Sequence, residues 1–380
     1  MKIALVDPSL FTVPYDAKLS GALRGLGHDV TVYGEARGPG DEPAELTGLQ
    51  PLFYPELLRL GARRWPRQLL RAVKGALHWR AMRRLADELA ETRPDVIHFQ
   101  WLPLPIVDRR FLHTLRGLAP VVLTAHDSRP FNGSAPRLQK FGATSVMSAV
   151  DGVIVHTEEA RDRLVSYGVP SGRLVRISHG LLYEVAPIPT RPPQTSNRVR
   201  FLLFGKLKPY KGADLLIEAF RLLPPEIRDR AEVRIVGKPY MDVQPLLQAA
   251  QGLAPGVQID LRFVSDDEMN DMLGLADVIV FPYREIDVSG VLMAALRYGR
   301  PIIASNIGGF AELLADGRHA ILVPPDDAPA LAAAMARLCT DPEERAAMGA
   351  AVATLGAAIP EWDDIARSTT DFYISVLAHR

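Results

Sequence analysis

The sequence predicts an α/β protein made of two consecutive units, each a parallel sheet covered by helices. Three observations carry this. Short Val-, Ile- and Leu-rich runs recur without polar alternation, as in strands buried on both faces; segments of helical period separate them; and the pattern restarts after a proline-rich break. At 380 residues and 48% apolar, the chain is long enough for two cores rather than one.

The elements follow in order. KIALVD (2–7) reads as a strand, 16–26 places Leu19, Ala22, Leu23 and Leu26 at helical spacing, and GHDVTVYG restarts a strand. PDVIHF, PVVLTAH and DGVIVHT repeat the strand signature, with helices over 80–91 and 157–167. PIPTRPPQTSN (187–197) suits neither a helix nor a central strand and is the expected linker. Beyond it, VRFLLFG, VRIVG, IDLRFV, DVIVFPY, PIIASN and AILVP are strands, with helices over 212–223, 268–275 and 290–298. Residues 328–380 are helical in composition and contribute no strand; Ile365, Phe372, Tyr373, Val376 and Leu377 form an apolar set. The expected domains are 1–186 and 198–360, with a final helix over 361–380 crossing to the first domain. A ligand crevice is expected where the C-terminal ends of the two sheets face each other.

Composition narrows the function classes. Forty-four Lys plus Arg balance 44 Asp plus Glu, so no whole-molecule field argues for nucleic acid. Cys339 is the single cysteine and the nine histidines do not cluster in ligand-like spacing, which excludes an intrachain disulfide and argues against a structural metal. Met1 leads directly into KIALVD without a basic-then-apolar leader, and no run is long enough to span a bilayer. A cytoplasmic setting is the expectation.

One region departs from neutrality. Between 57 and 86 stand Arg59, Arg63, Arg64, Arg67, Arg71, Lys74, Arg80, Arg83 and Arg84, with no acidic residue and with Trp65 and Trp79 among them. Two readings fit: a basic amphipathic helix on an anionic membrane surface, or a solvated helical insertion packed on the first domain.

Two loops suggest phosphate and sugar chemistry. In FGKLKPYKGADLLIEAF, Gly205 permits close backbone approach, and Lys206 and Lys211 place positive charge at a helix start, where a diphosphate is favoured. Gly237 and Lys238, ending the next strand, join this donor-binding set. In PYREIDVSGV, Glu285 and Asp287 are placed to bond sugar hydroxyls, and the N–H groups of Ser289, Gly290 and Val291 to receive phosphate oxygens. The plain alternatives are solvated lysines and a helix capped by Asp287 or Ser289.

In order along the chain, PYDAKLSGALRGLGHDVTVYG, DVIHFQW, PVVLTAHDS, DGVIVHTEEARDRLVSYGVP, ISHG, FGKLKPYKGADLLIEAF, the PY-to-SGV loop, GRPIIASNIGG, AELLADG and LVPPDD resemble the retaining glycosyltransferases of the large family 4-like, group 1 class, which includes bacterial mannosyltransferases and glucosyltransferases. The resemblance spans nearly the whole chain. It implies a GT-B architecture of two facing Rossmann-like domains, a nucleoside-diphosphate sugar as donor, and no required metal, although a substrate-bound Mg²⁺ stays open. The basic pair holding the donor diphosphate falls on Lys206 and Lys211, and the histidine near the transferred sugar on His126. The family's two glutamates, seven residues apart, fall on Ile286 and Ala294, so Glu285 or Asp287 takes the sugar contact and the ribose contact has no side-chain acceptor. The first glycine-rich loop of many members is replaced by SLFTVPYD, which makes Tyr15 and Asp16 acceptor-side candidates; the plain alternative for Asp16 is a helix N-cap, and for His126 a satisfied strand-end histidine. Asp127 faces away from His126 on an extended segment, so no triad is expected. The implied activity is hexosyl transfer with retention, to a lipid-linked saccharide or polysaccharide precursor. The alternatives are a small soluble acceptor, or an inactive scaffold that binds nucleotide sugar.

Overall fold

The structure, a computed structural model, describes residues 1–37, 46–61, 65–128, 142–182 and 198–380, side chains at 67, 68, 71 and 143 excepted. The expected linker over 187–197, Arg63 and Arg64 lie outside the described residues. The chain divides into two compact units, Met1–Leu182 with Pro360–Arg380, and Tyr183–Ile359.

The first unit is built on seven parallel strands: β1 (Lys2–Asp7), β2 (Asp29–Glu35), β3 (Leu49–Phe53), β4 (Val96–Phe99), β5 (Val121–Thr124), β6 (Gly152–Val155) and β7 (Leu174–Arg176), in the order β3-β2-β1-β4-β5-β6-β7. Alternation along each strand supplies two cores. Ile3 and Leu5 face the layer of helices Val13–Gly25 and Trp362–Ala378, while Ala4 and Val6 face helices Arg67–Thr92 and Pro105–Leu118. The last helix belongs to this unit: Phe372 and Val376 fill the space a Cβ at Gly152 would take, and the Trp362 indole N–H donates to the Leu181 carbonyl at 2.7 Å.

The second unit carries six parallel strands: β8 (Val199–Phe204), β9 (Ala231–Val236), β10 (Val257–Asp260), β11 (Val278–Phe281), β12 (Ile302–Ser305) and β13 (Ala320–Val323), in the order β10-β9-β8-β11-β12-β13. In both units the order reverses beside the first strand, and the loops leaving the strand C-termini at such a switch point are where open α/β sheets bind ligands.

Three local differences from the sequence expectation have physical reasons. β3 is a half-exposed edge strand, QP at its centre, with no apolar run to announce it. The basic helix starts at Arg67, not 80. Asp16 lies one turn inside its helix, whose N-cap is Thr12 with proline at the first turn, so it does not cap.

Candidate functional site

The second unit gathers cations on close-packed backbone. β8 ends just before Gly205 and leads through a short 3₁₀ turn, Pro209–Lys211, into helix Ala213–Leu222. Two glycines allow this. A Cβ on Gly212, at φ 67°, would lie 1.9 Å from the Pro282 carbonyl oxygen, and one on Gly237 would lie 1.9 Å from that of Gly205. The loops after β8, β9 and β11 therefore touch backbone to backbone. Val291, opening helix Gly290–Ala295, packs toward Gly205, and the Leu207 N–H donates to the Lys238 carbonyl at 2.9 Å.

Into this junction Lys211 brings an ammonium only 5% exposed, 4.9 Å from the Tyr283 ring centroid. Burial lowers it to about 8. Lys206, at the surface, is held below the usual lysine range by desolvation and then by the ammoniums of Lys208, Lys211 and Lys238. Among the described residues none of these four lysines is ion-paired with a carboxylate. A buried ammonium without a counter-ion is costly unless an anion completes it.

On the neighbouring loop, Asp287 is buried and its carbonyl accepts from Gly309 N–H at 3.0 Å, while Glu285 is half-buried. Ser289 caps the following helix, accepting from Leu292 N–H at 3.2 Å. Ile286 is half-buried and Ala294 buried, so neither presents an acceptor.

The first unit gathers neutral rings instead. His126, after β5, is half-buried, and its Nε2–H donates to Gln100 Oε1 at 2.9 Å. Gln100 is fully buried, its amide nitrogen 3.4 Å from His98 Nε2; His98 also meets Thr124 Oγ1 at 2.7 Å and the Tyr373 hydroxyl at 2.6 Å. This chain leaves Nδ1 of His126 as the acceptor nitrogen. Trp101 stacks on His126 and Tyr15 meets it edge-on, ring centroids 4.9 Å apart. Tyr15 also touches His156, His179 and Trp362. Burial, then His156, His179 and His98, push His126 well below the ordinary histidine value, and burial takes His98 and His179 to about 3.

Tyr15 and Asp16, expected on the acceptor side, are 2% and 0% exposed. Tyr15 is the hub of the ring cluster. Asp16 faces Asp7; Thr12 bridges them, its Oγ1 lying 3.3 Å from Asp7 and 3.4 Å from Asp16, and its N–H donates to Asp7 at 3.0 Å. Burial raises both carboxyls above the usual carboxylate range, and the neighbouring Asp7 raises Asp16 further. Sequence reasoning gave no role to Gln100, Trp101, His156, His179 or Tyr283; the signal available was a polar or aromatic residue one to three positions beyond the C-terminal end of a strand.

The basic helix is anchored by buried His78, which takes the Tyr54 hydroxyl at Nδ1 (2.7 Å) and Asp108 at Nε2 (2.6 Å). Lys74 pairs with Glu35 and Arg84 with Glu56, each at 2.6 Å. Part of its positive charge is thus met by acids outside the stretch. Arg80 and Arg83 are exposed, as are Trp79, Leu69 and Ile106. Among the described residues no helix is long and apolar enough to cross a membrane, and no three His, Cys, Asp or Glu side chains gather as metal ligands.

Known proteins resemble this chain in sequence and in fold. The family described as glycosyltransferase family 4 matches residues 17–181, and glycosyl transferases group 1 matches 198–341. A D-inositol 3-phosphate glycosyltransferase of Streptomyces avermitilis is 28% identical over 305 residues, 74% of this chain; the match spans only 64% of that protein. An alpha-D-kanosaminyltransferase of Streptomyces kanamyceticus is 27% identical over 62% of this chain and 63% of its own length. Among solved structures, Anabaena HepE in complex with UDP and glucose superposes with a TM-score of 0.76 at 17% identity, covering 99% of this chain and 100% of HepE. Sucrose-phosphate synthase of Thermosynechococcus elongatus superposes at 0.75 and 18% identity over all of both chains. The two parallel sheets are those of the GT-B architecture, and the chain belongs to the family 4, group 1 glycosyltransferases.

Proposed function

We propose that this protein transfers a hexosyl group from a nucleoside-diphosphate sugar to an acceptor hydroxyl with retention of anomeric configuration. The observation that carries the reading is Lys211, buried and with no carboxylate partner among the described residues, in the loop that follows β8. As the glycosidic bond lengthens, charge grows on the departing diphosphate, and Lys206 and Lys211 stabilise it more than they stabilise the ground state. Glu285 or Asp287 bonds the donor-sugar hydroxyls. His126, neutral and with Nδ1 as acceptor, binds the transferred sugar and is not assigned as a general base. The UDP-sugar complexes of HepE support a nucleotide-sugar donor.

For the acceptor, a lipid-linked saccharide or polysaccharide precursor at an anionic membrane surface is favoured by exposed Arg80 and Arg83 beside Trp79. A small acceptor is the second reading, favoured by the inositol 3-phosphate glycosyltransferases among the relatives. The test is a donor screen read by nucleoside-diphosphate release, with product mass analysis against a lipid extract and against inositol phosphates. Turnover in neither pool, with donor bound, favours the scaffold reading; unchanged affinity and rate in a Lys206→Ala, Lys211→Ala protein sinks the phosphate role.

A further inference from the structure

The turn that carries Lys211 is held from outside by Arg284. The guanidinium Nη1 and Nη2 donate to Asp214 Oδ1 and Oδ2 at 3.0 and 2.8 Å, Nη1 also donates to the Pro209 carbonyl at 2.8 Å, and Nε to Asp326 Oδ1 at 2.5 Å. The Arg284 backbone N–H donates to the Tyr210 carbonyl at 2.7 Å. Pro209 and Tyr210 open the turn that ends in Lys211, and Asp214 lies in the first turn of helix Ala213–Leu222. Arg284 also sits directly between Tyr283, whose ring lies against Lys211, and Glu285. One planar fork therefore ties the lysine turn, the helix behind it and the sugar-side loop.

These contacts are poor candidates for global stability. The Asp214 and Asp326 side chains are 58% and 59% exposed, and pairs so exposed contribute little to folding. Their geometric effect is larger, because a bidentate pair fixes both partners in one plane. Asp214 suits the first turn of its helix, yet a carboxylate close to the lysine turn repels an anion bound there. Desolvation would raise it, but Arg284 outweighs that and holds it below the usual carboxylate range.

We propose that Arg284 is a positioning residue: acting through Asp214 and Pro209, it holds Lys211 where it receives the donor diphosphate, without touching the donor. This rests on the nucleotide-sugar reading of the same site. Charge alone says that removing the Asp214 carboxylate tightens nucleotide binding; the clamp says that it weakens it.

The experiment compares the full chain with Asp214→Asn, Arg284→Gln and the double variant. UDP and GDP affinity is measured by calorimetry, and amide exchange at Lys211 and Gly212 is measured without nucleotide. Their N–H groups close the turn onto Lys208 and Pro209. Each single variant should lose roughly three- to tenfold in affinity, the double variant should be no weaker than Arg284→Gln, and exchange should quicken in all three with the melting temperature kept. Asp214→Asn binding as tightly as the native chain, or more tightly, overturns the clamp, as does unchanged exchange. If exchange quickens in a native fold that binds neither nucleotide, the clamp stands and the donor reading falls.

Discussion

The lysine site of the second unit lies after β8 and β11, the strands flanking its switch point, and the histidine cluster of the first lies at and beyond the C-terminal ends of β4 to β7, on the same side of an equivalent sheet. Burial acts on both in one direction, against the charged form. The outcomes differ because the starting points differ. Lys211 falls to about 8 and stays mostly charged at neutral pH, whereas His98 and His179 fall to about 3 and are neutral. The same physics thus yields one end suited to a developing diphosphate charge and another that offers neutral hydrogen-bonding rings. The sites are also enforced differently, the first by glycine-permitted backbone contact and the second by ring packing.

The largest effect should come from removing the charged end. Lys211→Met keeps length and loses the ammonium, and nucleoside-diphosphate release should fall by about 10²- to 10³-fold, the scale for losing one preorganised charge-stabilising group. The native rate should also decline on the alkaline side as the ammonium deprotonates near its value of about 8. A Lys211→Met protein with native turnover would remove the contrast between the two units.

Next comes the neutral end under acid. His98 is fully buried, with a folded value of about 3 against 6.5. The unfolded chain therefore binds the proton first; the stability is complete above about 6.5 and drains as pH falls toward 3. By pH 5 the loss attributable to His98 is about 2 kcal/mol. Asp7 and Asp16 act oppositely, since raised carboxyls favour the fold as pH falls. Urea unfolding at pH 7 and pH 5 should therefore be compared between the native chain and His98→Gln, which should lose less on acidification. Equal losses would mean that the histidine does not carry the acid sensitivity.

Much of this architecture was legible because its signals are local. β1, β4, β5, β8 and β11 are mostly apolar runs, broken inside only by His98 in β4 and Arg200 in β8, and Gly205, Lys206 and Lys211 sit within one strand-to-helix connection. What escaped depends on strand neighbours. Gln100 meets His126 only because β4 lies beside β5, and Arg284 meets Asp214 across 70 residues. Asp16 looked like a cap because its helical spacing begins there, yet Pro14 starts the helix earlier and turns its carboxyl onto Asp7. The basic stretch hid its partners, because Glu35 and Glu56 lie outside it in sequence and reach into it in space.

A smaller effect tests how His126 is oriented. Gln100→Leu removes the acceptor of its Nε2–H and frees the other tautomer. The loss of one hydrogen bond at a partly buried ring should lower kcat/KM roughly tenfold, with UDP affinity unchanged because the lysines are intact. Measuring both on one preparation separates the two units: weakened UDP binding in Gln100→Leu would mean that the histidine cluster serves the diphosphate as well.

The smallest effect concerns the basic helix, and the structure divides its charges into two classes. Lys74 and Arg84 are ion-paired with Glu35 and Glu56, while Arg80 and Arg83 are exposed beside Trp79. Only unpaired charge near the surface contributes fully to attraction by an anionic leaflet, about 1 kcal/mol per residue, or about fivefold in binding. Arg80→Gln and Arg83→Gln should each weaken sedimentation with phosphatidylserine vesicles by about that factor at low salt, and the difference should fade as salt rises. Lys74→Gln removes a charge already met by Glu35 and adds net negative charge at longer range, so its effect should be smaller. Equal losses for all three would mean that the leaflet senses net charge rather than this face. No loss in any of them would leave the helix a packed insertion, held by His78 for the sake of the first core alone.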